Sequence, residues 1–451
     1  MAGRSVARGG RRRRGARSRP ARVVADARHH RRVEDRHEGR DRPRTLPAVA
    51  AETTRAAAEA LDRADPLARE RDRFVVADDD LIYLDGNSLG RLPVRAAAAV
   101  ERMVHDGWGR DLIGGWVRWL TYPEEVGDRL GAAFLGAAPG QVVVGDSTTV
   151  NLYKLASAAL DARPDRRALV VPAGEFPTDR YVLEGLAAPR GLDVRLVPAG
   201  ADVVDALDAD VAVLCLSMVD YRSGAVVDVA AITAAARHVG ATVVWDLSHA
   251  VGAVPIELDR WGVELATGCS YKFLNGGPGA PAWLYVRSDV QHLRSPIWGW
   301  FGQREQFAMG PAYDPEPGIR RWLAGTPTVI ALAAVDAAVA DLAEIGIEAL
   351  RAKGTALTTY AIDLADARLA GHGVTVATPR LPHRRGAHVA LAHPAARELS
   401  RRLIDEHGVV PDFREPDLLR LGLAPAYTRF TDVWDGIDAL AVLLAGGAAA
   451  P

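Results

Sequence analysis

Between residues 141 and 286 the chain alternates short apolar runs with helical stretches, and this alternation restricts the possible folds more than any other feature. The apolar runs lie at 141–145, 168–171, 193–197, 210–216, 242–246, 265–269 and 282–286. Helical stretches separate several of them, at 150–161, 178–187 and 228–239. Apolar strands separated by helices are typical of a mainly parallel sheet with helices on both faces. We therefore predict an α/β fold built on a seven-stranded sheet.

The residues on either side of this region predict further elements. Before it, we expect a helix over 53–70, a strand over 81–84 and helices over 94–106 and 123–137. After it, we expect helices at 328–343 and 346–369, strands at 374–377, 386–391 and 418–423, and helices at 394–407 and 431–445. The predicted organisation is a large domain over 141–327 and a smaller α+β domain over 328–451, to which an N-terminal segment over 51–140 contributes.

The first 50 residues differ from the rest of the chain in charge. Residues 1–45 hold 16 arginines and five acidic residues, although the whole chain has a formal net charge of −2. Such a segment lacks the apolar residues needed to bury a core. It is interpreted as a disordered tail, as an extension from a mis-assigned start, or as a nucleic-acid-binding arm. The acidic character of the remaining chain disfavours nucleic-acid binding.

The overall composition predicts a soluble globular protein, because 49% of the residues are hydrophobic and 25% are charged. No run of 18 apolar residues occurs in the sequence, so we expect no membrane span. The two cysteines, Cys215 and Cys269, both lie in apolar runs. This placement argues against a disulfide framework or a metal site, and we expect a protein of the reducing cytoplasm.

Lysine is rare in this chain: of 55 basic residues, only Lys154, Lys272 and Lys353 are lysines. A lysine can form a Schiff base with an aldehyde, whereas an arginine cannot. Lys272 follows an apolar run and precedes the glycine-rich turn 275–279, and an earlier apolar run ends at Asp246. Pyridoxal phosphate needs such a pair, because the lysine holds its aldehyde and the carboxylate keeps its ring nitrogen protonated. We expect the other two lysines to be solvated helix residues.

Each candidate residue also has a purely structural interpretation. Asp246 suits a helix cap, and Lys272 suits an exposed position before a turn. His249 suits a buried structural role. The segment 146–151 joins a strand to a helix, so its hydroxyl groups serve either a phosphate or a simple N-cap. Phe176 either stacks on a flat ring, packs in the core or simply precedes a helix that begins at Pro177.

A set of motifs resembles the kynureninase family, whose members are pyridoxal-phosphate enzymes of fold type I related to class V aminotransferases. The motifs are YLDGNSLG at 83–90, GDSTTVNLYK at 145–154, FPTD at 176–179, WDLSH at 245–249, YKFLNGGPG at 271–279 and GWFG at 299–302. The resemblance extends over about 80–430 and depends on the order and spacing of the whole set. The first 50 residues have no counterpart in the family pattern.

The resemblance implies a role for each matching residue. Lys272 would form the Schiff base with the cofactor, and Tyr271 would contact its phosphate and assist proton transfer. Asp246 would pair with the ring nitrogen, with His249 close to the cofactor. Phe176 would stack on the ring.

The resemblance also implies further cofactor-binding residues around these five. They are Asp179 beside Phe176, Ser217, Thr148, Thr149, Trp300 and Thr326. Thr148 and Thr149 would bind around the phosphate. Trp300 and Thr326 would complete the phosphate site from the neighbouring subunit of a homodimer.

The implied substrate is an amino acid. Arg420 would hold its carboxylate, because a planar guanidinium can donate two parallel hydrogen bonds. Arg429 is the alternative, and spacing does not decide between them. The implied reaction is the hydrolysis of L-kynurenine, of its 3-hydroxy form or of both, to anthranilate or 3-hydroxyanthranilate and L-alanine, in tryptophan degradation and NAD biosynthesis. The alternatives are another class V enzyme, such as an aminotransferase or a cysteine desulfurase, and a non-catalytic arginine-rich binding protein.

Overall fold

A computed structural model of the protein describes residues 53–78 and 80–447. The predictions for residues 1–50 therefore lie outside the described residues. The α-helices are α1 (Arg55–Ala64), α2 (Val94–Arg102), α3 (Trp116–Trp119), α4 (Tyr122–Leu130), α5 (Thr148–Asp161), α6 (Pro177–Ala187), α7 (Val229–His238), α8 (Val329–Ile345), α9 (Ile347–Arg368), α10 (Ala396–His407) and α11 (Phe430–Gly447). The strands are β1 (Ile82–Tyr83), β2 (Val142–Val144), β3 (Ala168–Pro172), β4 (Asp193–Val197), β5 (Val211–Ser217), β6 (Thr242–Asp246), β7 (Leu265–Gly268), β8 (Trp283–Val286), β9 (Thr375–Val376), β10 (His388–Ala392), β11 (Val409–Val410), β12 (Asp412–Arg414) and β13 (Leu418–Gly422).

Seven strands form the central sheet, in the order β2-β8-β7-β6-β5-β3-β4. The neighbours from β7 to β4 pair in parallel. Strand β8 runs antiparallel to both β7 and β2. The predicted seven-stranded, mainly parallel sheet is confirmed, and the predicted bounds of its strands agree with the observed ones to within one residue.

Burial explains why the central strands are continuous apolar runs in the sequence. All residues of β5 and of β6 are buried. Helix α5 packs on β5, β6 and β7, and α7 packs on β6. In a parallel sheet the loops that follow the strands meet at one edge, where open α/β folds bind their ligands.

A second, four-stranded antiparallel sheet has the order β12-β13-β10-β9. It has its own buried core, which includes Tyr360 of α9, Leu399 of α10 and Phe430 of α11. Ala58 of α1 belongs to the same core, and β1 pairs in parallel with β11. The N-terminal segment therefore packs with the C-terminal residues, although the boundaries proposed at 140 and 327 remain predictions.

The helix predicted over 53–70 is wrong in length. Helix α1 ends at Ala64, and Asp65 has an extended backbone. Pro66 explains this end, because a proline disfavours the helical conformation of the residue before it. The helices predicted at 94–106 and 123–137 are only partly α-helical. Helix α2 ends at Arg102 and α4 ends at Leu130, and each continues as a π-helical turn, at Met103–Arg110 and Gly131–Leu135.

No helix within 53–78 or 80–447 combines the length and the apolar character needed to span a membrane.

Candidate active site

The carboxyl ends of four strands bring the main candidate residues together. Phe176 follows β3, Ser217 ends β5, Asp246 ends β6 and Lys272 follows β7. These four strands are consecutive neighbours in the sheet and run in parallel. The four residues therefore lie at one edge of the sheet, at the position where this class of fold binds ligands.

Lys272 and His249 are in direct contact at this edge. The Nζ atom of Lys272 lies 2.8 Å from Nε2 of His249. Burial, together with the charge of Lys272, holds the pKa of His249 well below its usual range, so the ring is neutral. An ammonium group can only donate hydrogen bonds, so Nε2 accepts and the ring proton lies on Nδ1. That nitrogen is buried and has no hydrogen-bond partner among the described residues.

The loop at 83–90 supports the turn that carries Lys272. The N–H of Gly90 donates to the carbonyl of Tyr271 at 2.8 Å. A Cβ atom on Gly90 would overlap the Lys272 carbonyl and would lie 2.8 Å from the Cα atom of Asn275, so this close approach requires glycine. Burial raises the pKa of Tyr271, so its hydroxyl group remains a neutral donor. The first and fifth motifs of the sequence thus form one structural unit.

Phe176 faces the same lysine. The Nζ atom of Lys272 lies 5.9 Å from the centroid of the Phe176 ring. The ring meets Tyr221 edge to face at 5.3 Å, and Phe176 is 38% exposed. Packing in the core, one structural alternative for this residue, is therefore wrong. The other alternative, a helix started by a proline, is confirmed, because α6 begins at Pro177. The open face of the ring is available to a ligand.

Asp246 and Asp179 place two buried carboxyl groups near Lys272. Burial raises the pKa of Asp179 well above its ordinary range, and the neighbouring charge of Asp246 adds to this rise. Burial also raises the pKa of Asp246, although a hydrogen bond from Ser248 and the charge of Lys272 oppose it. The Oδ2 atom of Asp179 is buried without a hydrogen-bond partner among the described residues. No α-helix begins between Asp246 and α8, so the helix-cap interpretation of Asp246 is wrong.

Glu175 joins the ends of β3 and β5, a role that the sequence did not reveal. Its carboxylate accepts the N–H of Ser217 at 2.8 Å, the Ser217 hydroxyl at 2.6 Å and the N–H of Phe176 at 2.9 Å. The hydroxyl of Ser217 is thus directed to Glu175. Glu175 is only 6% exposed, and nothing in its sequence position distinguishes it from an ordinary loop carboxylate.

Thr148 and Thr149 begin helix α5. Ser147 caps this helix, because its hydroxyl accepts the N–H of Val150 at 3.3 Å. The N-cap interpretation is therefore correct for Ser147. The first N–H groups of a helix have no acceptor within the helix. The N–H groups and hydroxyls of the two threonines thus form a position suited to a phosphate.

The expectation that Lys154 and Lys353 are solvated is wrong. Lys154 is buried, forms an ion pair with Asp146 and donates to the Trp322 carbonyl at 2.7 Å. Lys353 pairs with Asp65 at 2.7 Å, and both side chains are 3% exposed. The sequence does not reveal these positions, because the partners Trp322 and Asp65 lie far from the two lysines along the chain.

The structure does not connect Trp300 or Thr326 with Lys272. The Trp300 ring packs against Phe301 at 4.9 Å, and Thr326 is exposed. Among the described residues, no hydrogen bond or ring contact links either residue to Lys272. They lie on neighbouring segments, because the N–H of Phe301 donates to the Ala324 carbonyl at 3.2 Å.

Arg420 is a fully buried cation on β13. It donates to the Tyr221 carbonyl and the Asp412 carboxylate, and to the Ser88 hydroxyl at 3.3 Å. Its Nε atom is buried and has no partner among the described residues. Burial lowers the pKa of Arg420 to about 10, so the side chain remains charged at neutral pH. One N–H donor of this cation is therefore free for a ligand.

Arg429 has a different environment. Its Nε and Nη2 atoms both donate to Asp432, at 2.9 and 2.6 Å. The charge of Arg420, in contrast, contributes to the lowered pKa values of His249 and His388. Arg420 is therefore the arginine near the Lys272 edge of the sheet.

His388 is a second buried histidine near this site, which the sequence analysis did not identify. It begins β10, is fully buried, and its ring centroid lies 5.6 Å from that of His249. Burial, followed by the charges of Arg420 and Lys272, holds the pKa of His388 well below its usual range. Its sequence context is an apolar run, which gives no indication of a polar site.

Comparison with known proteins identifies the family. Residues 350–440 match the family model of the kynureninase C-terminal domain. A kynureninase from Pseudomonas fluorescens is 42% identical over 401 residues, a match that covers 87% of this chain and 96% of that protein. A kynureninase from Burkholderia pseudomallei (strain 1106a) is 42% identical over 400 residues, covering 87% of this chain and 95% of that protein. The chain belongs to the kynureninase family.

Solved structures of other proteins share the fold. A cysteine desulfurase from Thermococcus onnurineus NA1 has a TM-score of 0.70 at 16% identity, covering 82% of this chain and 96% of its own. A cysteine desulfurase from Escherichia coli has a TM-score of 0.71 at 19% identity, covering 84% of this chain and 98% of its own. At these identities the likeness concerns the fold alone, and it confirms the predicted fold type I of the kynureninase family.

The residues at the sheet edge fit pyridoxal phosphate, the predicted cofactor. Lys272 has a neutral partner, and the Phe176 ring has an open face. The buried Oδ2 atom of Asp179 and Nδ1 atom of His249 lack partners among the described residues. A flat ring with a protonated nitrogen and polar substituents can satisfy such atoms.

Proposed function

We propose that this member of the kynureninase family hydrolyses L-kynurenine, or its 3-hydroxy form, at the Cβ–Cγ bond. The products are anthranilate, or its 3-hydroxy form, and L-alanine, in tryptophan degradation and NAD biosynthesis. The observation that carries the proposal is the contact of Lys272 with a neutral His249 beside the buried carboxyl groups of Asp246 and Asp179. The 42% identity to proteins named kynureninase supports the choice of substrate.

Lys272 is proposed to hold the cofactor and to move the substrate Cα proton. Pyridoxal phosphate, when bound, supplies the electron sink for the bond-breaking step. The amine of Lys272 contacts the neutral ring of His249 rather than a carboxylate. A carboxylate at the same place would favour the ammonium form and would leave less of the free amine.

Asp246 is proposed to keep the ring nitrogen of the cofactor protonated. A buried carboxylate favours a positive charge on a partner within salt-bridge reach. The N–H of Ser248 donates to Oδ1 of Asp246 at 2.7 Å and fixes the side chain. Asp179, with its free Oδ2 atom, is proposed to be a second acceptor at the ring.

Phe176, Tyr271 and the two threonines of α5 are proposed to position the cofactor. Phe176 would stack on the ring, and Glu175 fixes its backbone N–H. Tyr271, Thr148 and Thr149 would donate to the phosphate.

Arg420 is proposed to bind the substrate carboxylate. Its free Nε–H is a charged donor in a buried environment, where such hydrogen bonds are strong. Asp412 holds the other side of the guanidinium and fixes its plane. Arg429 is already paired with Asp432 and is therefore the weaker candidate.

The protein is also proposed to act as a homodimer. Trp108, Ile113 and Val117 are large apolar residues that are 61%, 79% and 82% exposed. The neighbouring Trp116 meets Trp300 edge to face at 5.8 Å, so this apolar face adjoins the Trp300 loop. A second copy would cover the face, because exposed apolar patches of this kind mark interaction surfaces. Trp300 would then lie at the interface, as the family resemblance implies.

Two observations disfavour a cysteine desulfurase. Such an enzyme needs a nucleophilic cysteine on a mobile loop. Cys215 lies within β5 and Cys269 directly follows β7, and both are buried. Burial raises the pKa of both thiols, which makes them poor nucleophiles. Their lack of a disulfide agrees with the proposed cytoplasmic location.

The proposal is tested by incubating the purified protein and pyridoxal phosphate with L-kynurenine. We expect anthranilate fluorescence and an equal amount of alanine. The matched variant is Asp246→Asn, which keeps the shape and the Ser248 hydrogen bond but removes the charge. It should lower turnover by roughly a hundredfold while the melting temperature stays unchanged. Protein with bound cofactor that releases no anthranilate would refute the proposal and favour another class V activity.

A further inference from the structure

Lys154 has an environment that the proposed function does not yet use. It lies on α5, and its side chain is 1% exposed. Its ammonium group pairs with Asp146 and donates to the carbonyl of Trp322. Burying an ammonium group is costly, so this arrangement persists only because both partners satisfy it.

Asp146 sits at the junction where β2 leads into the start of α5. Its backbone is left-handed, with a φ of 54°, a conformation that non-glycine residues seldom adopt. Its carbonyl accepts the N–H of Ala282 at 2.9 Å. The next residue, Ser147, caps the helix whose first residues are Thr148 and Thr149. The position of Asp146 therefore determines where the N–H groups of α5 point.

Trp322 belongs to the segment that leads to Thr326. It is fully buried, and the N–H of the nearby Phe301 donates to Ala324 in the same segment. One ammonium group therefore joins the start of α5, which belongs to the proposed phosphate site of its own chain, to the segment that carries Thr326. In the proposed dimer, that segment and the Trp300 loop would reach the phosphate site of the partner subunit.

We infer that Lys154 is a positioning residue for the phosphate group of the cofactor, because its ammonium group fixes Asp146 and Trp322 relative to each other. This inference rests on the proposed function, since it requires the cofactor. Lys154 itself does not contact the reacting atoms. Its role is to hold the N-terminus of α5 at the right distance from the segment at 322–326.

The chain offers a matched control. Lys353 is also a buried lysine paired with an aspartate, Asp65, and it lies on α9, whose residues Leu357 and Tyr360 belong to the core of the second sheet. Lys154→Met and Lys353→Met remove the same charge from similarly buried sites. Asp146→Asn and Asp65→Asn form a second, milder pair, which keeps the test possible where a lysine variant fails to fold.

The experiment compares the binding of pyridoxal phosphate with that of pyridoxal, which lacks the phosphate, measured by absorbance titration of each variant. We expect Lys154→Met and Asp146→Asn to weaken pyridoxal phosphate binding by roughly tenfold to a hundredfold. Pyridoxal binding should change little, because it does not use the phosphate site. Lys353→Met and Asp65→Asn should lower the melting temperature but leave the ratio of the two affinities unchanged.

Three other outcomes would contradict either the proposed function or the role of Lys154. Wild-type protein that binds no pyridoxal phosphate would contradict the proposed function itself. Normal wild-type binding with an unchanged affinity ratio in Asp146→Asn and Lys154→Met would contradict the role of Lys154. An equal loss of affinity for pyridoxal phosphate and for pyridoxal in the Lys154 and Lys353 variants would show that Lys154 only stabilises the fold.

Discussion

The three lysines of this chain differ in the side chain that contacts the amine group. Lys154 and Lys353 each face an aspartate, whereas Lys272 faces a neutral histidine. Burial lowers the pKa of Lys154, and Asp146 opposes this effect. The amines of Lys154 and Lys353 are enclosed by the protein, so a ligand cannot reach them. We therefore propose that reactivity toward an aldehyde belongs to Lys272. This distinction explains the chemistry better than the scarcity of lysine in the sequence.

We predict that borohydride reduction of the protein with pyridoxal phosphate labels Lys272. Peptide mapping by mass spectrometry should place the pyridoxyl group on the peptide that contains Lys272. Lys272→Arg should abolish the label, because arginine cannot form the imine. A label on Lys154 or Lys353 in the native protein would show that the assignment is wrong.

Arg420 and Arg429 provide a second comparison at the residue scale. We predict that Arg420→Lys raises KM for L-kynurenine by roughly tenfold or more, because a lysine keeps the charge but loses the planar donor geometry. Arg429→Lys should leave KM unchanged, since Arg429 is occupied by Asp432. Steady-state kinetics on both variants decide the question. The opposite result would assign the substrate carboxylate to Arg429.

His388 gives a prediction about pH. Its folded pKa lies well below its unfolded value, owing to burial and to the charges of Arg420, Lys272 and Arg414. A depressed pKa contributes stability above the unfolded value, about 6.5, which is lost as the pH falls below it. His388→Gln should therefore lose less stability than the wild type between pH 7.5 and 5.5, by about 1 kcal/mol. Urea unfolding at both pH values measures this difference, and an equal loss of stability in the two proteins would show that the pKa of His388 is the same in the folded and unfolded states.

At the scale of residues, the sequence predicted the ends of strands better than the contacts between them. Asp246 and Lys272 were found because each follows an apolar run. Glu175 and His388 were missed because their importance comes from residues distant in sequence, Ser217 for the first and His249 for the second. Burial of a polar group is a tertiary property, which a local pattern does not carry.

At the scale of elements, the central sheet was predictable because its strands are buried and continuous. Strands β11 and β12 were missed because they span only two and three residues and are partly exposed. The π-helical turns after α2 and α4 were also missed, since their residues keep a helical apolar spacing. Packing against neighbouring elements, rather than local preference, determines such short features.

The loop at 299–302 depends on a close approach between elements. A Cβ atom on Gly299 would overlap the backbone carbonyl of Ala324. We predict that Gly299→Ala lowers the free energy of unfolding by about 1–3 kcal/mol and displaces Trp300. The matched change Gly310→Ala should have little effect, because no atom lies within 4 Å of a Cβ there. Thermal unfolding and Trp fluorescence of both variants test this, and similar melting temperatures would contradict the steric argument.

At the scale of the whole molecule, we propose that the active site is completed by residues of a second chain. Trp300 and Thr326 lie on neighbouring segments but lack contact with Lys272, and the apolar face at Trp108 and Ile113 adjoins the Trp300 loop. A C2 dimer would use the same face from both copies and would bring each Trp300 loop to its partner. Cofactor binding and dimerisation should therefore be coupled.

The first 50 residues are expected to contribute to neither property. They carry the arginine excess and lack the apolar residues needed to bury a core. We predict that a variant beginning at Ala51 sediments as a dimer, retains pyridoxal phosphate and produces anthranilate at the rate of the full chain. Like charges within the arginine-rich segment repel one another, so we expect this segment not to stabilise the folded state of the remaining chain.

Sedimentation velocity and cofactor absorbance on both proteins separate the remaining interpretations of the segment. An active monomer would contradict the dimer, and with it the roles of Trp300 and Thr326 across the interface. A shortened protein that loses cofactor or precipitates would show that the segment packs on the body of the protein. A shortened protein that stays active but no longer binds DNA or RNA, where the full chain does, would support the nucleic-acid arm. Sedimentation tests the dimer, cofactor absorbance tests whether the segment packs on the body of the protein, and nucleic-acid affinity tests the arm, so each interpretation has its own measurement.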